Sequence, residues 1–278
     1  MIEFHTYKYQ GAGNDFVILD NRENIYNNIT TEEVAFLCNR RFGIGADGLM
    51  LLGTSNKYSF SMRYFNSDGI EATMCGNGGR CLVAFAAHMG MNKFDFEAID
   101  GFHTAEILDY TAHRCIVKLK MIDVEAYSKH SNCSYFLNTG SPHYVEFVES
   151  VKEYPVVERG AYWRHHKDFK ATGGTNVNFV EIRENSIAVR TFERGVEDET
   201  LACGTGITAS AIAAYLHSPS FGYSSKIESD TVVTLKYNIE AEGDKLAVEF
   251  TYNKKNRAVS DIYLTGPATF VFECKITL

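Results

Sequence analysis

The chain lacks the features that would direct it to a nucleic acid, a membrane or a metal. Its 27 lysines and arginines form no dense run and are outnumbered by 35 acidic residues, giving a net charge of −8. That balance excludes the electrostatic footprint of a nucleic-acid partner. No apolar stretch approaches the roughly 20 residues a membrane span requires. The start, MIEFHTYKYQ, lacks the basic-then-apolar layout of an export signal and reads as a first strand. The seven cysteines (38, 75, 81, 115, 133, 203 and 274) are odd in number and scattered. With no Cys-x-x-Cys and no Cys/His cluster of zinc-like spacing, neither a disulfide framework nor a metal site is expected, and the reduced cytoplasm is the expected setting. The run Gly43-Ile44-Gly45-Ala46-Asp47-Gly48 is no phosphate loop, because no lysine follows it and it precedes a strand instead of opening a helix. Low-complexity segments are missing too.

What is there is an unusual element, present twice. Met62 to Gly90 reads MRYFNSDGIEATMCGNGGRCLVAFAAHMG. After Cys75 the run Gly76-Asn77-Gly78-Gly79 opens a helix whose first backbone N–H groups can bind an anion. Cys75 sits at the positive end of that helix dipole, where a thiolate is favoured. The run from Cys81 to Ala87 is apolar on every face, so this helix is expected to be buried all round and wrapped by sheet. Arg190 to Leu216, RTFERGVEDETLACGTGITASAIAAYL, repeats the device: Cys203, then Gly204-Thr205-Gly206, then an apolar helix stopped by Ser218-Pro219. Both stretches carry Arg-x-Phe (Arg63/Phe65, Arg190/Phe192), a glutamate (Glu71, Glu199) and Cys-Gly-x-Gly. Upstream, Asn14 and the turn Gly11 to Asn14 are read as echoed by Asn176 and Thr172 to Asn176. A chain of 278 residues allows two domains, and this repetition predicts a duplication related by a pseudo-twofold axis.

Outside the two helices, strand signals dominate. Strands are expected over 2–9, 16–19, 49–52, within 92–121, in a pair over 136–148, within 226–252 and over 268–276. One further helix is expected from a Thr30 cap to near Arg40-Arg41. The domain boundary is placed at 121–123, giving one half of 1–121 plus 263–278 and another of 122–262. Gly11, Gly13 and Asn14 suit either a plain hairpin turn or a ligand-facing loop. Pro142 fixes His143 at a loop end, where it is either a surface turn residue or a site residue. His165-His166 beside Trp163 reads as a solvated loop. Cys81, Cys115 and the other cysteines outside the pair are expected in the core.

A thiol at a helix N-terminus has a pKa lowered from about 8.5 into the range of roughly 3.5–7.5. Two such thiols in a duplicated frame suit a symmetrical task, the inversion of a carbon centre. One removes a proton from one face and the other returns a proton to the opposite face. The helix ends would hold the adjacent carboxylate and spread the developing charge.

These residues carry a resemblance. The segments Gly11–Phe16, Gly43–Gly48, Phe65–Gly69, Cys75–Cys81, Gly140–His143, Glu193–Gly195 and Ala202–Gly206 follow, in order and over nearly the whole chain, the motifs of the diaminopimelate epimerase family. The resemblance implies an α/β (α+β roll) fold of two similar domains, each an antiparallel rolled sheet around a central buried helix, with the active site in the cleft between them. It implies a cofactor-independent isomerase that interconverts LL- and meso-2,6-diaminopimelate for lysine and peptidoglycan precursors, and a homodimer. It makes Cys75 and Cys203 the acid/base pair and gives the reacting carboxylate to Gly76, Asn77, Gly204 and Thr205. His143 and Glu193 would tune the thiols. Asn14, Asn66, Asn176, Glu193 and Arg194 would read the distal amino-acid end, Arg194 pairing with its carboxylate. Proline-type racemases are the alternative within the superfamily; they typically carry His where this chain has Asn77. A binding protein with inert cysteines is the alternative from another class. Three departures stand out: Ser141 where some members have a substrate-binding Asn, Gly48 where some have Gln, and a longer, more acidic loop over 195–200.

Overall fold

The computed structural model describes residues 3–219, 223–229 and 231–278. Ile2 at the head of the first expected strand and Asp230 within 226–252 lie outside the described residues. The chain divides into two compact units, Met1–Leu119 with Gly266–Leu278, and Lys120–Thr265.

In the first unit, alternating apolar residues build the hairpin β1 (Glu3–Gly11) and β2 (Asn14–Asp20). Its turn residues Ala12 and Gly13 both have positive φ, 54° and 84°, the mirror-image turn that suits the twist of paired strands. The chain then crosses over through α1 (Thr31–Cys38) to β3 (Gly48–Gly53), which runs parallel to β2. α1 starts with a full capping box, Glu33 N–H on Thr30 Oγ1 at 3.2 Å and Thr30 N–H on Glu33 Oε2 at 2.8 Å. It stops two residues before the expected end, because Asn39 leaves the helical conformation and its side chain takes the amides of Arg41 and Phe42. Then follow β4 (Phe60–Asn66), β5 (Glu71–Ala72), α2 (Gly76–His88), β6 (Asp95–Ala98), β7 (Gly101–Tyr110) and β8 (Arg114–Lys120). β3 is buried on both faces. Leu49 and Leu51 pack with Val34 and Leu37 of α1, while a Cβ placed on Gly78 of α2 would lie 3.2 Å from Met50 Sδ.

The second unit holds β9 (Tyr127–Ser131), β10 (Ser134–Asn138), β11 (Pro142–Phe147), α3 (Val156–Arg164), a 3-10 turn over 167–172, β12 (Asn176–Ile182), β13 (Ile187–Glu193), β14 (Asp198–Thr200), α4 (Gly204–His217), β15 (Tyr223–Ser229), β16 (Val232–Ala241), β17 (Lys245–Asn253) and the start of β18 (Val259–Thr277). Strands outnumber helices as expected, but α3 was not foreseen. Val156, Phe169, Val177, Phe179 and Phe192 form its cluster, so α3 is held by a few apolar contacts and not by a continuous apolar stripe. As expected, His165 and His166 stand in the short link that follows this helix. His166 caps the 3-10 turn and packs its ring 5.0 Å from that of Trp163, while His165 stays exposed.

The pairing scheme of the first unit recurs in the second. β1–β2 and β10–β11 are antiparallel hairpins, and β2–β3 and β11–β12 are parallel across a helix. β3–β4 and β12–β13 are antiparallel, each followed by a short strand and then a buried helix. β4–β6 and β13–β16 are parallel again, and each continues into antiparallel strands. The sheets are therefore mixed, with two parallel pairs in each unit where wholly antiparallel ones were expected. The register also corrects the upstream echo. Phe16 pairs with Gly48 as His143 pairs with Asn176, so Asn176 matches Gly48, and Asn14 matches Ser141. A short Asn–Phe–Val similarity carries too little information to fix register; the ladder does it.

Each unit wraps its apolar helix. In α2 every residue from Gly76 to Ala86 is buried, and in α4 nearly every residue from Gly204 to Tyr215. Among the described residues, no helix is long and apolar enough to cross a membrane.

Candidate active site

Each unit holds a candidate site, and the two are built alike. Cys75 is the last residue before α2, with φ −92° and ψ 133°; Cys203 holds the same place before α4, with φ −106° and ψ 113°. The first helical bonds reach back to the cysteines themselves: Gly79 N–H to Cys75 O at 2.7 Å and Ile207 N–H to Cys203 O at 2.8 Å. The amides of Gly76-Asn77-Gly78 and of Gly204-Thr205-Gly206 thus have no acceptor inside their helices. Each cysteine is preceded by the same clamp. Arg63 grips Glu71 through two bonds of 3.0 and 2.9 Å, and Arg190 grips Glu199 through two of 2.6 Å. These bidentate pairs fix β5 and β14, which deliver the chain to the cysteines.

In the first unit, Cys75 is half-buried and its Sγ lies 3.8 Å from Asn14 Oδ1. Asn77 Nδ2 donates to the same oxygen at 3.4 Å. Asn14 Nδ2 donates to Asp47 Oδ2 at 2.5 Å, which fixes the amide with its oxygen toward the thiol. Asp47 belongs to a charged cluster: Arg40 bridges Asp47 and Asp15 at 2.8 and 2.6 Å, and Lys8 holds Asp15 at 2.6 Å and also donates to Gly45 O. Arg80, fully buried, donates to Asn77 Oδ1 at 2.9 Å, to Gly76 O at 3.2 Å and to Pro267 O at 3.4 Å. Asn66 stands at the exposed end of β4, where its carbonyl accepts from Gly69 N–H at 2.9 Å. Gly48 is closed to a larger residue, since a Cβ there would meet Phe65 O and Tyr64 Cε2 at 2.6 Å.

In the second unit, Cys203 is 8% exposed and lies 3.4 Å from Thr205 Oγ1. His143, read from sequence as a turn residue or a site residue, is wholly buried. Its Nε2 is 2.9 Å from Thr205 Oγ1 and 3.0 Å from Ser141 Oγ. Burial, then the nearby Arg194 charge, lowers its pKa from 6.5 to about 3, so the ring is neutral at physiological pH. Asn176 is engaged with protein groups: Nδ2 donates to Pro142 O at 3.0 Å and Ser141 Oγ at 3.2 Å, and Oδ1 accepts Arg194 N–H at 2.9 Å. Arg194 Nη1 donates to Thr172 O at 3.0 Å, and Glu193 Oε2 accepts from Thr200 Oγ1 at 2.8 Å. The longer acidic loop finds its use on α3, where Glu197 takes Arg164 Nε at 2.9 Å.

Sequence alone does not single out Arg80, Asp47 or Asn178. Asn178 carried a legible signal, a polar side chain on an inward-facing position of the apolar strand NVNFVEI. Arg80 carried none, because two of its acceptors are local but its third, the Pro267 carbonyl, comes from a distant segment. The remaining cysteines divide. Cys38, Cys81 and Cys115 are buried, and burial raises their thiols to about 12, 12 and 11. Cys133, expected in the core, is exposed in the turn between β9 and β10, and Cys274 is only half-buried on β18.

Residues 6–121 and 135–271 match the family described as diaminopimelate epimerase. The chain is 46% identical over 273 residues to a diaminopimelate epimerase of Flavobacterium psychrophilum, covering 97% of this chain and 99% of that one. It is 40% identical to one from Chlorobaculum tepidum, covering 96% and 99%. Among solved structures, a phenazine biosynthesis protein of the PhzF family from Bacillus anthracis superposes with a TM-score of 0.73 at 16% identity, all of both chains being covered. A hydroxyproline epimerase from Agrobacterium vitis gives 0.67 at 15%, covering 99% and 93%; at such identity both show the fold alone. A cysteine at the head of a buried helix in each of two like units, with a family match running through both, leads to one conclusion: the chain belongs to the diaminopimelate epimerase family of isomerases.

Proposed function

We propose that this protein interconverts LL- and meso-2,6-diaminopimelate by two-base proton transfer, Cys75 and Cys203 being the acid/base pair. The observation that carries the mechanism is the matched placement of the two thiols, each at the N-terminus of a buried helix behind an Arg–Glu clamp. One sulfur, as thiolate, takes the α-proton. The electron pair is delocalised into the α-carboxylate, and the other sulfur, as thiol, protonates the opposite face. The product leaves with the charge on the second sulfur. The amides of Gly76-Asn77 and Gly204-Thr205 would hold that carboxylate where the negative charge grows. Arg194 pairs with the distal carboxylate, and Asn176 supports it by fixing its backbone. Asn14 and Asn66 complete the substrate contacts, and Glu193 and His143 tune the thiols. Each half of the duplication supplies one thiol. The protein works as a cytoplasmic homodimer, a reading supported by the exposed Phe102, Leu108 and Tyr110 along β7 and tested by light scattering.

Reaction in deuterium oxide tests the function. LL- and meso-diaminopimelate should both exchange the α-hydrogen and converge on one equilibrium mixture, while proline should not exchange. Exchange into proline with none into diaminopimelate would move the protein to the proline-type racemases.

A further inference from the structure

Gly78 and Gly206 stand at the same step of their helices, three residues past the cysteines, yet they face different chemistry. A Cβ at Gly78 would meet Met50 Sδ and Phe16 Cε1, at 3.2 and 3.6 Å; a Cβ at Gly206 would meet Asn178 Oδ1 and His143 Cε1, at 2.3 and 3.2 Å. The strand register equates Phe16 with His143 and so Met50 with Asn178. An apolar pair fills this place in one unit, so packing alone does not require the polar pair in the other.

The orientation of Asn178 is determined by its partners. The Tyr144 carbonyl can only accept, so the amide atom facing it at 3.2 Å is Nδ2, and Oδ1 takes the Thr191 hydroxyl at 3.0 Å. Nδ2 also faces His143 Nδ1 at 3.0 Å, which makes that nitrogen the acceptor and puts the proton of the neutral ring on Nε2. Nε2–H points at Thr205 Oγ1. Ser141 Oγ already accepts from Asn176 Nδ2 and has Thr205 Oγ1 at 3.2 Å for its own proton. With its lone pairs engaged by His143 and Ser141, the Thr205 hydroxyl turns its proton to Cys203 Sγ, 3.4 Å away.

We propose that Asn178 is a positioning residue: it sets the tautomer of His143, and through Thr205 it directs a hydroxyl proton onto the Cys203 sulfur, favouring the thiolate. This rests on the reading of Cys203 as an acid/base group. The charged side chains at the end of β13 and just past it, Glu193 and Arg194, bond Thr200 and Thr172, neither of which is substituted below.

The test combines nitrogen NMR of labelled histidine with the pH dependence of Cys203 alkylation by iodoacetamide, followed by peptide mass. In the unmodified protein His143, assigned by its loss in His143→Gln, should be the Nε2–H tautomer. In Asn178→Asp the carboxylate can only accept, so the neutral ring should move its proton from Nε2 to Nδ1, and the bare Nε2 should draw the Thr205 hydroxyl proton away from Cys203. Losing a hydrogen bond to a charged sulfur is worth about tenfold to hundredfold. The alkylation midpoint of Cys203 should thus rise by about one to two pH units in both Asn178→Asp and Thr205→Val. Thr205→Ser should restore it, and Cys75 in the same samples should not move. Should Asn178→Asp fold poorly, the pair His143→Phe with Asn178→Met copies the packing of the other unit and should raise the midpoint alike. An Nδ1–H tautomer in the unmodified protein, or an unmoved Cys203 midpoint in Thr205→Val, would overturn the proposal. Failure of the two-thiol mechanism shows elsewhere, as epimerisation surviving Cys203→Ser.

Discussion

At the scale of single residues, the surroundings of the two cysteines are alike in backbone and unlike in side chains. Cys75 has an amide oxygen beside its sulfur and Cys203 has a hydroxyl. If each thiol serves one face of the α-carbon, Cys75→Ser and Cys203→Ser should each lose epimerisation by at least about a hundredfold, in line with the loss of a general acid or base. Each should still exchange the α-hydrogen of only the isomer presented to its remaining thiol. Stereospecific deuterium uptake checks this, and equal exchange of both isomers by either variant would count against it. Arg194→Ala should lower kcat/KM for diaminopimelate and leave the trace activity on lysine nearly unchanged, because lysine has no distal carboxylate to lose. Alkylation at pH 8 should label Cys133 and spare Cys38, Cys81 and Cys115, whose thiols burial keeps protonated.

At the scale of elements, the start of α4 leaves no room for a side chain at Gly206. Gly206→Ala would press a methyl group into Asn178 Oδ1, an approach no real Cβ tolerates, and the displaced amide is the one that orients His143. It should destabilise the protein by about 1–3 kcal/mol in urea unfolding and lower activity as well. Gly90→Ala, where a Cβ would meet nothing but the φ of +84° is strained, should cost stability and leave activity alone. The glycines were legible as the openers of two helices. That one of them lies on a hydrogen-bonded histidine was not, because His143 sits some sixty residues earlier in the chain.

At the scale of the whole molecule, stability against acid depends on buried charge. Burial acts to raise the Asp15 pKa, but the bonds from Arg40 and Lys8 prevail and lower it from 3.8 to about 2. A folded pKa below the unfolded one means that the contribution is complete above about pH 4 and is lost as pH falls toward 2. Asp15→Asn should therefore cost on the order of 1–2 kcal/mol at neutral pH and flatten the decline of stability between pH 4 and 2. His143 acts earlier. Kept neutral by burial, it contributes fully above its unfolded pKa of 6.5, and that contribution falls as pH drops toward 3. His143→Gln should show a shallower loss of the urea midpoint between pH 6.5 and 4.5.

Sequence alone determined whatever is local or repeated. Cys-Gly-x-Gly before an all-apolar run has few physical readings besides a buried helix with a thiol at its positive end, and finding it twice implied a duplicated frame. The capping box at Thr30 and the Ala12-Gly13 turn are likewise properties of a few adjacent residues. Tertiary structure decided what depends on register and on distant partners. It moved the match of Asn14 from Asn176 to Ser141, buried Arg80 under the Pro267 carbonyl, and engaged Asn176 with Arg194. It also placed Asn178 against His143. The reason is physical: a helix start is specified by bonds spanning three or four residues, whereas the direction of a buried hydrogen-bond chain is specified only once every donor and acceptor around it has been brought into place.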